Sequence, residues 1–421
     1  MIIHQPELLK RDGHTIVHAR IEMRQPRENI PEYAWFKVPD RYSAQLSFQS
    51  DAFLIAVLLA GMYFQEDIEV RGTVSPKLAY NLEEVQHLLH FRAPEVVTPV
   101  EIKYGQLKPL QAAPSAVGAD FSGGVDSFFT LWKHLPENQA IPDFRITHAL
   151  FMLGFDIMNK DKTGYQTLFD RYHELLRVMN IELVPLETNL ISFYIPITRR
   201  YFFYENVLIS AAHIFGNLFN KFMIPSSEDY RQLHPQTSTS EITTSPLLST
   251  ETLEIIHHGS ATHRVKKIEA ICNWEPAHTN LRVCTPEDPA KIMINCSRCE
   301  KCVRTMIPIY ALGKMDKFTT FEKPFRSNNE TLWWARKFDP SQNHVREIFP
   351  FVGRIKPDLL PWIRCASLAG YVHYWVMKII PNPLRRWLQP FGFYKNTMIQ
   401  KGAYDDHGVL QEINSSESKK L

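Results

Sequence analysis

The chain has 421 residues, 44% hydrophobic, 22% charged and 12% aromatic, with a formal net charge of +2. That length suffices for two or three domains, the composition is that of an ordinary globular protein, and the near-neutral charge does not imply general polyanion binding. The opening MIIHQPELLKRDGH is polar and lacks an apolar signal core, so the expected setting is cytoplasmic and reducing.

Residues 1–112 read as a separate accessory module of mixed α+β type. Strands are expected over Thr15–Met23, Ala34–Val38, Ile68–Val74 and Val96–Ile102, and an apolar helix over Asp51–Phe64. Val74-Ser75-Pro76-Lys77 reads as a turn into a helix. No catalytic constellation is visible here, and the roles expected are oligomerisation, substrate binding or a partner surface. The run PLQAAP, Pro109 to Pro114, is the expected linker.

The most informative stretch follows, AVGADFSGGVDSFFTLWKHL. A short strand stops at Ser122-Gly123-Gly124-Val125-Asp126-Ser127, where an apolar helical pattern begins. Strand, glycine turn and helix start form an anion-binding geometry. Glycines let the backbone approach a phosphate, and the helix N-terminus supplies N–H donors and the positive end of its dipole. Ser122 and Ser127 add hydroxyls. Asp126 beside a phosphate calls for a divalent cation between them, or for a role in orienting the loop amides. The Walker pattern is absent, since no lysine stands at the required position.

Beyond the loop, strand signals at Val117–Phe121, Ile146–Met152, Glu182–Glu187 and Lys221–Pro225 alternate with helix signals at Ser127–His134, Tyr165–Met179 and Tyr201–Asn220. This alternation predicts an α/β fold with a doubly wound parallel sheet, whose ligands bind beyond the carboxyl ends of the strands. The SGGVDS loop, Gly154–Asp156 and Ser226–Asp229 all fall at such ends. Residues 231–246, rich in Ser, Thr, Gln and Pro, read as a loop over the site or a surface insertion. His257 and His258 follow an apolar strand, where adjacent side chains point to opposite faces, which disfavours a shared metal. His263 beside Arg264 is the better candidate for phosphate contact.

Cys284, Cys296, Cys299 and Cys302 form C-x11-C-x2-C-x2-C. Four thiolates suit tetrahedral Zn²⁺ in a closed, structural site, with an iron–sulfur cluster, a disulfide or unligated thiols as the alternatives. Arg298, Lys301 and Arg304 offset the charge of a tetrathiolate, and a helix is expected from Val303 to Leu312. Cys272 and Cys365 read as lone core cysteines.

Residues 313–421 read as a helical, basic and aromatic extension with a disordered tail. From Arg326 to Lys395 there are eleven Lys/Arg against four Asp/Glu. The expected arrangement is helices packing on the core, with an anionic membrane surface or RNA as the other partners such a segment suits. The least polar run, Ala366–Pro381, is too short and polar for a membrane span.

The SGGxDS motif resembles the PP-loop of the N-type ATP pyrophosphatases. Together with the later cysteine cluster, it resembles the 7-cyano-7-deazaguanine synthase family over roughly residues 115 to 312, about half of the chain. The resemblance includes Glu205–Ala212, similar to an N-x-x-L-x-x-A helix, a strand end at Ile224–Tyr230, and a basic helix start at Ala261–Lys267 that contacts nucleotide phosphates in the family. It implies an adenine-nucleotide alpha-hydrolase-like fold over residues 113–312, with ATP, Mg²⁺ and Zn²⁺ as cofactors. It also implies an AMP- and pyrophosphate-forming ligase that adenylates a carboxylate or carbonyl oxygen and replaces AMP by ammonia or an amine. Ser122, Gly123, Gly124, Val125, Asp126, Ser127 and Arg264 would bind the nucleotide. Asp126, then Asp229, would organise Mg²⁺, and Lys266 or Arg264 would stabilise departing pyrophosphate. The adenine would lie against the Ala149–Phe151 strand.

Two family segments are missing. The aromatic-Gly-Gln segment is replaced by LFMLGFDIMNKDK, and Y-P-D-C-R by Tyr230 followed by RQLHPQTSTSE. This implies a rebuilt acceptor pocket, leaving the acceptor and nitrogen donor open, as is formation of a homodimer. The other functional readings are a tRNA-modifying member of the superfamily and a non-catalytic ATP-binding sensor.

Overall fold

The computed structural model describes residues 1–27, 30–155, 157, 159, 161–194, 204–232, 241–285, 291–331 and 346–379. These divide into two compact units, one built from Met1–Ser122 with Thr130–Ala261, the other from Gly123–Phe129 with the described residues from Thr262 onward.

The first unit is α/β, with a large, mostly parallel sheet and helices. Its strands are β1 (Ile2–Ile3), β2 (Glu7–Arg11), β3 (His14–Glu22), β4 (Tyr33–Pro39), β5 (Ile68–Val74), β6 (Ile102–Leu107), β7 (Ala116–Asp120), β8 (His148–Leu153), β9 (Glu182–Thr188), β10 (Phe219–Pro225) and β11 (Glu254–His258). They form one sheet in the order β11-β10-β7-β8-β9-β4-β3-β1-β5-β6, with β2 on β3. From β11 to β9 every pairing is parallel. The chain therefore runs outward from β7 through β8 to β9, then returns to set β10 and β11 on the other side of β7. This order is compatible with a doubly wound sheet whose direction of winding reverses at β7.

Residues 1–112, expected as a separate module, extend this sheet. β4 pairs antiparallel with β9 through Phe36↔Thr188 and Lys37↔Glu187. Thr188 and Asn189, both fully buried, close the seam: Thr188 Oγ1 donates to Trp35 O at 2.7 Å, Trp35 N donates to Asn189 Oδ1 at 3.1 Å, and Asn189 Nδ2 donates to Tyr33 O at 2.8 Å. One apolar core runs from Val17 and Phe36 through Leu150 and Val184 to Phe219 and Phe222.

The helices follow the sequence with instructive differences. α1 (Asp51–Phe64) matches the expected apolar run, is buried from Asp51 to Met62, and packs on α5 (Tyr204–Ile214). α2 (Pro76–Arg92) begins at the Ser75-Pro76 turn, with proline at the position where a missing N–H costs nothing. The strand expected at Val96–Ile102 lies instead at Ile102–Leu107, because Pro99 cannot donate to a ladder. α3 is Val125–Lys133, α4 Lys162–Arg177, and α5 ends at Ile214, short of the expected Asn220, where Gly216 and Asn217 turn the chain into β10. The short α6 (Glu241–Thr244) is the helical part of the expected 231–246 loop; residues 233–240 lie outside the described residues.

The second unit contains α7 (Arg264–Ile271), α8 (Glu275–Asn280), α9 (Glu300–Ala311), α10 (Ile348–Ile355) and α11 (Leu360–Ile379), with α7 and α10 packed on α9. No described helix is long and apolar enough to cross a membrane. The tail expected to be disordered, residues 332–345 and all of the basic stretch beyond Ile379, and Asp156 lie outside the described residues.

Candidate functional site

The loop after β7 is built as its letters require. Gly123 sits at φ 76°, in the left-handed region that glycine enters without steric cost. α3 then starts, with Phe128 N donating to Gly124 O at 2.9 Å. The first-turn N–H groups of such a helix have no intrahelical acceptor and suit an anion. Ser127, expected to donate to phosphate, instead donates its hydroxyl to Gly124 O at 3.1 Å, closing the loop on itself.

Around residues 123–127 the second unit gathers cations. Asp126 takes Arg264 Nη1 on one carboxylate oxygen and Lys267 Nζ on the other, the latter at 3.1 Å. Burial pushes the Asp126 carboxyl upward, but Arg264 and Lys267 outweigh it and hold the group below its ordinary value. Lys267 is only 1% exposed and lies over the Phe129 ring, 5.9 Å from its centroid. Arg282 donates its backbone N–H to Gly123 O at 2.8 Å, and its side chain is buried. Arg304, on α9, is within electrostatic reach of both Asp126 and Arg264. Desolvation lowers its guanidinium to about 10, so it stays cationic at neutral pH. Its partner Glu300 lies one turn back at 3.7 Å.

The Nε donors of Arg264, Arg282 and Arg304 are all buried, and among the described residues none has an acceptor. A buried guanidinium N–H without a partner costs about 1–3 kcal/mol or more. Arg264 bonds Asp126 of the loop, Arg304 lies within electrostatic reach of both, and Arg282, whose backbone holds Gly123 O, turns its guanidinium to Thr285 Oγ1 at 3.4 Å. Three buried arginines with such spare donors suit a multiply charged, oxygen-rich anion.

The expected basic partner was Lys266 or Arg264. Arg264 reaches Asp126, whereas Lys266 is half-exposed and bonds Glu269, which also takes Arg354. Lys267 holds the inner position, because residues three apart share a helix face and residues two apart do not. Asp229, expected to organise Mg²⁺, belongs to the first unit. There its carboxylate is gripped by Arg231 at 3.0 and 2.8 Å and also accepts the Arg231 backbone N–H. Sequence reasoning named Lys267 only as the end of the basic helix start and Arg304 only as counter-charge to the thiolates, and did not single out Arg282. The signal available was their spacing: three after Arg264, two before Cys284 and two after Cys302.

The four cysteines come together as expected. All four Sγ atoms of Cys284, Cys296, Cys299 and Cys302 lie within 4.8 Å of one another, and Cys296 Sγ and Cys302 Sγ are 3.9 Å apart. Tetrahedral zinc with bonds of about 2.3 Å requires sulfurs about 3.8 Å apart. Backbone N–H groups of Cys296, Cys299 and Cys302 point at the sulfurs of Cys284, Cys296 and Cys299 at 3.3–3.4 Å, which favours thiolates. The cluster can bind a metal such as zinc. Buried Asn295 ties it down, accepting from Val283 N at 2.7 Å and Cys284 N at 3.3 Å while donating to Leu281 O and Thr320 Oγ1. Cys272 is a buried thiol that desolvation pushes up to about 12, inert as a nucleophile; Cys365 is exposed.

The two histidines on β11 diverge. His258 Nδ1 meets Thr130 Oγ1 at 2.9 Å and its ring lies edge-on to His134, whereas His257 Nδ1 faces Ser260 Oγ at 3.3 Å.

In comparisons with known proteins, no family model, no curated protein and no solved structure matches the chain.

Proposed function

We propose that this protein is an N-type ATP pyrophosphatase, a ligase that transfers AMP to a carboxylate or carbonyl oxygen, releases pyrophosphate and then exchanges AMP for ammonia or an amine. The observation that carries this reading is that Arg264, Arg282 and Arg304, in the unit that holds Gly123–Phe129, each have a buried Nε donor with no acceptor among the described residues. The strand order supports it. β7, where the winding reverses, leads directly into that loop, the place where doubly wound sheets of the adenine-nucleotide alpha-hydrolase type hold their phosphates.

In this reading the loop N–H groups and Arg264, Lys267, Arg282 and Arg304 hold the phosphate chain. A scissile α–β bond places negative charge on leaving pyrophosphate, and fixed cations in a water-poor setting stabilise it most where it develops. Asp126 orients Arg264 and Lys267 by holding one on each oxygen, and Mg²⁺ accompanies the nucleotide. Zinc in the four-cysteine centre is structural. The acceptor is small or part of a larger partner, and the setting is cytoplasmic.

The test is product analysis. Incubated with ATP, Mg²⁺ and a panel of carboxylates that includes 7-carboxy-7-deazaguanine, the protein should form AMP and pyrophosphate in an acceptor-dependent manner. ADP and inorganic phosphate as the products would contradict the proposal.

A further inference from the structure

We propose that Arg304 is a phosphate-binding residue positioned by the four-cysteine centre, so that metal and anion bind the second unit cooperatively. This rests on the reading that the Gly123–Ser127 loop takes a phosphate chain.

The four-cysteine centre and the anion site share two stretches of backbone. Cys299 caps α9, its sulfur accepting the N–H of Cys302 at 3.4 Å, so one metal ligand also fixes the start of the helix. Cys302 is the third residue of α9, and Arg304 follows two positions later in the second turn. On the other side, Arg282 precedes Cys284 by two residues and bonds Gly123 O at 2.8 Å through its own N–H. Two of the four sulfur ligands thus sit two residues from an arginine of the anion site, in short segments with little freedom to move apart. The side chains of both arginines carry buried Nε donors without acceptors among the described residues. Arg304 is further steadied by Glu300, also in the capped first turn of α9. α9 packs against α7, the helix that supplies Arg264 and Lys267.

Four sulfurs held this close repel one another as thiolates unless a cation sits among them. Metal–sulfur bonds therefore order the first turn of α9 and the Arg282–Cys284 segment, and with them the aim of two guanidinium groups. An anion that needs those groups ordered binds the metal-loaded unit more tightly. By linkage it must raise metal affinity by the same factor, and couplings between sites commonly amount to about 5- to 150-fold.

The test is zinc affinity of the full, zinc-loaded chain, measured by competition with a chromophoric chelator, with and without saturating inorganic pyrophosphate. Pyrophosphate should tighten zinc at least about fivefold. The Arg304→Ala protein, still holding one zinc per chain, should lose most of that gain, and Arg304→Lys should recover part of it. Pyrophosphate's own affinity for free zinc works in the opposite direction and is common to all three proteins. If pyrophosphate binds by calorimetry but leaves zinc affinity unchanged, the coupling is overturned while the phosphate reading stands. An equal gain in Arg304→Ala would show that Arg304 does not couple the two sites. If pyrophosphate does not bind at all, the phosphate reading itself fails, and the coupling with it.

Discussion

Asp126 is a carboxylate in a loop shaped for anions, and its neighbours explain it. Arg264 and Lys267, three residues apart on α7, take one oxygen each, so the acid organises the cations. The sequence showed the loop and the basic helix start but pointed to Lys266, whereas Lys267 is the lysine that reaches Asp126 and Lys266 bonds Glu269, since only the helix phase separates them. Asp51 shows what burial does without such partners. Desolvation pushes it up to about 7, opposed by the N–H of Ser75, which donates to it at 2.8 Å. A folded-state value above the ordinary carboxylate one means the native chain holds this proton more tightly. The stability so gained is fully present below about pH 4 and is lost as pH rises through about 7. Asp51→Asn keeps an acceptor for Ser75 and removes the buried charge. It should raise the melting temperature at pH 8 by about 2–4 °C or more, and leave it unchanged near pH 4, in scanning calorimetry. A loss of stability at both pH values would show that the charged form is the native one.

At the scale of elements, the strand–loop–helix at β7 was legible because its signals are local: an apolar strand, two glycines and an amphipathic helix. The joining of residues 1–112 to the sheet was not. It depends on the β4–β9 pairing, between segments about 150 residues apart, and on Thr188 and Asn189, which lie just past the expected strand and whose side chains close an antiparallel seam. β7 also depends on what it lacks. A Cβ on Gly118 would fall 2.7 Å from both the Phe219 and Phe222 rings of β10. Gly118→Val should therefore cost about 1–3 kcal/mol, seen as a lower denaturant midpoint at unchanged slope. A midpoint equal to that of the parent chain would mean β7 and β10 are not packed as described.

At the scale of the molecule, the α/β class, the strand that carries the loop and the four clustered cysteines could all be read from the letters. The sequence could not show which cations converge on the loop. Arg282 and Arg304 lie beside cysteines, where their charge is equally well read as balancing thiolates, and only the fold reveals that their Nε donors are buried and have no acceptor among the described residues. In the proposed function these residues and Lys267 together hold a phosphate chain. The most direct measurement is calorimetric titration of Mg²⁺–ATP into the parent chain, Lys267→Ala and Lys266→Ala. One site per chain is expected, at least about tenfold weaker in Lys267→Ala, a loss of about 1.4 kcal/mol, and unchanged in Lys266→Ala. Equal affinity in all three, or no binding to the parent chain, would contradict it.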